Sequence, residues 1–420
     1  MEINKIYLGD NLELLKQLED NSIHSCVSDF PYNLGFMGKK WDTITNYQDW
    51  CYQRAVELFR VMKSGGICLI FGGTRTHHRL VCAFEDAGFE IKDEMQWIYS
   101  SGFPKSYNIS KGFDKKAGAE RKIIGEYTHP TAKNGDRTGS KSHYQANNCH
   151  LEGSYNITAP STDLAKQWDG WGTALKPAQE PIMVCQKPIE KNYCYNIEKH
   201  GVGGINIDDC RVPYNNESDL NMVKAKCNFT ENSKSIGFGT EESLYGTGST
   251  PLNQARDCVK EDGRFPANII FDEESALFLD SQNPKTKSGK VKNNKDSYEG
   301  ESNTKFLRGK TTTDNQYGDE GGVSRFFYCA KANTKDKTEN GQVNNTHVTV
   351  KPTELIKYLV KLVTPPQGIC LDICEGSDTH VKAVLELNKE GFDFNYIGFE
   401  NDEESYNIAC KREKIHKVAI

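Results

Sequence analysis

The chain has no apolar run long enough to span a bilayer and no N-terminal apolar stretch of signal-peptide length, which points to a soluble, cytoplasmic protein. It also has no surplus of positive charge: 52 Lys and Arg stand against 58 Asp and Glu in 420 residues, for a net charge of -6 and an isoelectric point near 6.0. That balance excludes a basic coat over the whole surface, so any nucleic-acid contact has to come from a local basic face. Cysteine is plentiful, at 14 residues, but there is no C-x-x-C pair and no paired-His spacing. The thiols are scattered, several inside apolar runs (Cys26, Cys68, Cys82, Cys185, Cys370). They read as buried, reduced side chains, and neither a disulfide framework nor a metal site is expected.

What is present is an alternation of apolar runs and amphipathic stretches. From Ile3 to Asn108 the order is strand IYLGD, helix Asn11 to Leu18, strand HSCVSDF, helix Tyr47 to Met62, a turn at Lys63-Ser64-Gly65-Gly66, strand GICLIFGG, helix His77 to Ala87 and strand FEIKDEMQWIYSSG. Strands that are apolar on both faces, alternating with helices, predict an α/β fold with a mostly parallel sheet. The sequence turns polar from Phe103 to about Trp168, and QEPIMV (Gln179 to Val184) then reads as a strand returning to the sheet. Asn192 to Asn340 has no sustained period, and α/β order resumes with a helix from Pro352, the strand GICLDIC, a helix from Thr379 and the strand NYIGFE. The expected segments are 1–104, 105–169, 170–190, 191–340 and 341–420.

Two local patterns carry chemistry. Asp29-Phe30-Pro31-Tyr32 closes the apolar run Ile23 to Val27, which puts an acid, a rigid proline and an aromatic ring at the mouth of a strand. A carboxylate and a neighbouring backbone carbonyl can accept hydrogen bonds from an exocyclic amine, and a Tyr face can stack on a base swung out of a duplex. Lys285 to Lys310 holds eight basic and three acidic residues, interleaved with Tyr298 and Phe306. That run reads either as a solvated loop or as a DNA contact carried by Lys285, Lys287, Lys290, Lys292, Lys305 and Arg308.

In this order the motifs resemble the β-class of S-adenosylmethionine-dependent DNA amino-methyltransferases, whose catalytic signature is (D/N/S)PP(Y/F/W). The resemblance covers most of the chain: LGDN at Leu8, DFPY, NLGFMGKKWD at Asn33, GWGTALKPAQEPIMVCQKP at Gly170, SRFFYCAKA at Ser324, NNTHVTVKPTEL at Asn344 and LDICEGSDTH at Leu371. Several of these motifs are typical of methylases of phages and mobile elements, a restriction-modification setting in a bacterial or phage-infected cell. The resemblance implies a Rossmann-like methyltransferase fold with an irregular inserted target-recognition domain at 191–340. The catalytic half would lie at 1–104 and the cofactor half at 341–420. It further implies double-stranded DNA as partner, a possible homodimer, and methyl transfer to N6 of adenine, with N4 of cytosine as the alternative.

By the same resemblance, Asp29, Phe30, Pro31 and Tyr32 are the catalytic residues. Asp10 and Asn11 would meet the adenine end of the cofactor, Glu400 would hold its ribose, and Lys351 and Thr353 would flank it. The loop Asp372, Cys374, Gly376, Ser377, Asp378 would wrap its methionine end. Here Phe30 replaces the first proline of the catalytic signature, Cys374 the phenylalanine of the family's F-x-G-x-G loop, and Asp378 its second glycine. A carboxylate about 4 Å from the cofactor's own would cost about 1 to 4 kcal/mol; turned outward, Asp378 would instead cap the helix at Thr379. Two readings follow: an active methyltransferase, or a catalytically weak or inactive paralogue that keeps the fold and binds DNA.

Overall fold

The computed structural model describes residues 1–35, 40–102, 106–128, 154–217, 219–221, 261–282, 322–330, 336–347 and 349–418. They fall into two compact units, one of residues 1–34, 44–99 and 179–420, the other of 35–43 and 100–178.

The larger unit is built on a nine-stranded sheet. Its strands are β1 (Lys5–Leu8), β2 (Ile23–Asp29), β3 (Met62–Phe71), β4 (Glu90–Ile98), β7 (Gln179–Gln186), β8 (Ile269–Asp272), β9 (Tyr328–Ala330), β10 (Ile369–Asp372) and β11 (Asn395–Glu400). Their order across the sheet is β1-β11-β10-β2-β3-β7-β4-β8-β9. Strand β7 runs antiparallel to both its neighbours, β3 and β4, and every other pairing is parallel. QEPIMV thus returns to the middle of the sheet, and β8 and β9, from within 191–340, extend its edge.

Both faces of the sheet are covered, as continuous apolar runs require, because successive side chains point to opposite faces. Along β3, Ile67, Leu69 and Phe71 point to one core, shared with Leu355, Leu359 and Val363 of α8 (Thr353–Val363) and with Val381 and Val384 of α9 (Thr379–Lys389). Met62, Cys68 and Ile70 point to the other. That core contains Leu14 and Leu15 of α1 (Asn11–Leu15), Ala55 and Leu58 of α2 (Tyr47–Val61), and Leu80, Ala83 and Phe84 of α3 (His77–Asp86). This is the expected α/β, Rossmann-like arrangement.

One expected feature is different. In place of a turn at 63–66, β3 continues through a bulge there, its register with β2 passing from Ile23–Met62 to Ser25–Ile67. The two glycines there serve close approach: a Cβ on Gly66 would lie 2.7 Å from Met62 Cε and 3.0 Å from the His24 carbonyl oxygen, and one on Gly65 (φ +85) would collide with the Asn196 amide. Among the described residues no helix is long and apolar enough to cross a membrane.

The smaller unit contains α4 (Ile109–Ala117), α5 (Asp163–Gln167) and a hairpin of β5 (Ile123–Thr128) and β6 (Ser154–Thr158). Its polar composition hides a buried node at Asp114, which accepts from the Thr162 amide (2.9 Å), the Ser161 amide (3.0 Å), the Thr162 hydroxyl (2.8 Å) and Arg121 (2.5 Å). Burial opposes the charge, but these donors hold the Asp114 carboxyl at about 2.

Candidate functional site

Strands β2 and β10 are neighbours, paired at Ser25 with Cys370 and at Cys26 with Leu371. Their C-terminal ends therefore bring together two motifs more than three hundred residues apart in sequence. The Ser28 hydroxyl donates to Asp372 Oδ1 at 2.7 Å, and the Cys374 amide donates to the same oxygen at 2.9 Å. In an open parallel sheet this is where ligands bind, outside the carboxyl ends of the strands. A cleft lies there, lined among others by Ser28, Asp29, Lys351, Asp372, Cys374, Gly376 and Ser377. Its free volume is only about 40 Å³, room for a few waters.

Asp29 ends β2 opposite Phe71 of β3. Its Oδ2 receives the Lys351 ammonium at 2.5 Å, while its Oδ1 is buried without a hydrogen-bond partner. Lys351 also lies 3.2 Å from the Tyr32 hydroxyl and 3.2 Å from Glu180 Oε2, and the Tyr32 hydroxyl donates to Glu180 at 2.7 Å. Burial disfavours the ammonium, but the carboxylates of Asp29 and Glu180 outweigh it, so the Lys351 pKa lies above its ordinary value. Burial, with the same two carboxylates, pushes the Tyr32 phenol well up.

Tyr32 is held by its backbone, whose carbonyl accepts from Thr76 at 2.7 Å. A Cβ on Gly73 would come within 2.9 Å of the Tyr32 Cβ, so the site requires glycine at that point. Phe30 points the other way. Its ring is 1 % exposed and packs against Trp50 and Phe84, each with centroids 5.8 Å apart. The residue that departs from the family signature is thus a core side chain, and the Pro31 carbonyl beside it accepts from Tyr47 at 2.7 Å.

The loop after β10 is fastened from several sides. Glu400, at the end of β11, accepts the Gly376 amide on one oxygen and the Asp402 amide on the other, both at 2.7 Å. Burial raises its pKa to about 7, and burial together with the charge of Glu375 does the same for Asp372. Asn11 donates to the Ile373 carbonyl at 3.1 Å and accepts from Arg54 at 2.8 Å. Asp10 caps α1 by accepting the Leu12 amide at 2.9 Å, and lies 3.4 Å from Arg54. Thr353 is the buried first residue of α8, after Pro352 at its N-cap. Gly376 adopts φ +61, and a Cβ there would sit 3.3 Å from His347 Nε2. Ser377 accepts from Asn345 at 3.0 Å and gives its carbonyl to Arg412.

Asp378 neither lines the cleft nor caps α9 through its side chain. It has φ +80, is fully buried, and both carboxylate oxygens lack a hydrogen-bond partner. Burial, then the charge of Glu375, raises its pKa well above the ordinary range, with Arg412 acting in the opposite sense.

Three functional neighbours had no assigned role in the sequence. Glu180 was visible only as an acid in a strand, and Arg54 and Arg412 only as helix charges. Among the described residues, Asp372, Glu375 and His380 present donor atoms within 4.8 Å of one another, a grouping able to hold a metal ion. The protein itself occupies part of that set, since Glu375 and His380 pair at 3.1 Å. Lys285, Lys287, Lys290, Lys292, Lys305 and Arg308 lie outside the described residues.

A family profile described as DNA methylase matches residues 23–411. The chain is 25% identical over 293 residues to the type II methyltransferase M.HindIII of Haemophilus influenzae, covering 60% of this chain and 78% of that one. The PvuII DNA methyltransferase (cytosine-N4-specific) aligns at 13% identity and a TM-score of 0.42, over 99% of this chain and 91% of that chain. The M1.HpyAVI-SAM complex aligns at 13% identity and a TM-score of 0.36, over 97% and 98%.

Proposed function

This chain belongs to the DNA methylase family, and we propose that it methylates an exocyclic amino group of a base flipped out of double-stranded DNA, N6 of adenine, with S-adenosylmethionine as donor. The observation that carries this reading is Asp29: a carboxylate at a strand end, one oxygen buried and unpartnered, beside the loop that follows β10. An aspartate at the first position of the signature is what inclines the reading to adenine.

The residues suit the donor, and the cleft, with about 40 Å³ free, would have to widen to admit it. Gly376, left-handed and with His347 close to where a Cβ would lie, lets the loop backbone approach a ligand closely, and Asn11 and Glu400 converge on the same loop. When bound, S-adenosylmethionine would supply an electrophilic sulfonium methyl and depart as the neutral thioether S-adenosylhomocysteine, and the methylated nitrogen would give up its extra proton to water. The protein does the rest. Asp29 Oδ1 and the Phe30 carbonyl accept from the target NH2, which raises the nucleophilicity of its nitrogen, and the Asp29 carboxylate stabilises the positive charge that develops there. Tyr32 offers its ring to the base, and flipping costs roughly a few kcal/mol. The segment 191–340 reads the target sequence in this proposal, with phosphates met by Lys285, Lys287, Lys290, Lys292, Lys305 and Arg308.

A calorimetric titration with S-adenosylmethionine and a methyl-label transfer to plasmid DNA test the reading together. Asp29→Ala should lower transfer by more than about a hundredfold while leaving cofactor affinity within about twofold. Transfer near the parent level would remove Asp29 from its role. Absence of cofactor binding at millimolar ligand would instead favour a DNA-binding protein without turnover.

A further inference from the structure

The site holds one more carboxylate than methyl transfer requires. Lys351 lies between two of them, 2.5 Å from Asp29 and 3.2 Å from Glu180, with its side chain only 9% exposed. An ammonium on Asp29 Oδ2 draws charge away from the carboxylate whose free Oδ1 receives the target amine, and it repels the positive charge that develops on the target nitrogen. Lys351 therefore has to leave Asp29 as the base engages, and a buried ammonium cannot move to a place without a counter-charge.

Glu180 supplies that place. It stands near the start of β7, the one antiparallel strand of the sheet, and its Oε2 already receives the Tyr32 hydroxyl at 2.7 Å and faces the ammonium. A small displacement moves Lys351 from one carboxylate to the other. We propose that Glu180 is a positioning residue that holds the Lys351 ammonium and the Tyr32 hydroxyl, so that Asp29 is released to the target amine. This rests on the methyl-transfer reading above.

The test uses the full chain, S-adenosylmethionine and plasmid DNA. Glu180→Gln should lower kcat by about 10- to 100-fold, the scale on which a misplaced catalytic geometry acts, with KM for DNA and the cofactor dissociation constant within about threefold. Glu180→Asp should recover part of the rate. Lys351→Met combined with Glu180→Gln should lose less than the product of the two single losses, because without the ammonium Glu180 keeps only the Tyr32 hydroxyl to hold. Tyr32→Phe, which keeps the ring, gives an independent arm with a smaller loss in kcat of roughly threefold to tenfold. Should Glu180→Gln fail to fold, the Tyr32→Phe and Glu180→Asp arms decide. Unchanged kcat in the folded variants, or losses that multiply in the double variant, would overturn the proposal. A parent protein that binds cofactor but methylates no DNA would overturn the underlying reading instead.

Discussion

Asp378 stands where the resemblance expects a glycine, and its backbone and side chain answer that departure differently. Its backbone has φ +80, the left-handed region that glycine occupies at no cost and that Asp and Asn tolerate better than other residues. The position thus has a conformation that suits glycine, while the carboxyl is buried away from the cleft. Burial also raises its pKa well above the ordinary range, which disfavours the charged form. Asp378→Gly should therefore change the affinity for S-adenosylmethionine by less than about threefold in calorimetry. A carboxylate facing the cofactor would give a gain of roughly fivefold to a thousandfold, and a gain of that size would contradict this placement.

At the scale of elements, the loop after β10 is held from behind by a buried ionic cluster. Glu339 accepts from Arg412 at 2.9 Å and from Lys382 at 3.1 Å, and lies 3.1 Å from His416. Arg412 and His416 belong to α10 (Glu403–Val418), and Arg412 reaches forward to the Ser377 carbonyl. Burial works against the Glu339 charge, but His416, Lys382 and Arg412 bring its pKa down to about 2. A carboxyl depressed on folding stabilises the protein above its unfolded pKa near 4.5, and that contribution is lost as pH falls from there toward 2. Glu339→Gln should lower stability by about 1 to 3 kcal/mol at neutral pH and flatten the pH dependence in that window, as read from urea midpoints. An unaltered slope between pH 4.5 and 2 would show that the cluster is not coupled to folding.

The same scale separates what was legible in the sequence from what was not. Parallel strands buried on both faces announce themselves as continuous apolar runs, so β2, β3, β10 and β11 could be read directly. Gly65 and Gly66 misled because a glycine pair reads as a turn, whereas here it marks close approach by Met62 and Asn196. Asp29 and Gly376 belong to short local motifs and were visible. Glu180 meets Tyr32 across 148 residues of sequence, and Arg412 meets Ser377 across 35. Such pairs are fixed by strand order and helix packing, which no local pattern encodes.

At the scale of the whole molecule, the two halves of the larger unit act as one site because strand order places β2 beside β10. The proposed catalytic acid comes from the first and the proposed cofactor loop from the second, and the Ser28–Asp372 hydrogen bond ties them. An acid without the loop would have no methyl donor at hand, and the loop without the acid would have no grip on the amine. A site assembled in this way should turn over rather than serve as a scaffold. The most direct measurement is mass spectrometry of nucleosides from plasmid DNA incubated with the purified protein and S-adenosylmethionine. The account predicts N6-methyladenine, absent when Asp29→Ala replaces the parent protein. DNA left without a methylated base, or methylated at N4 of cytosine instead, would contradict it.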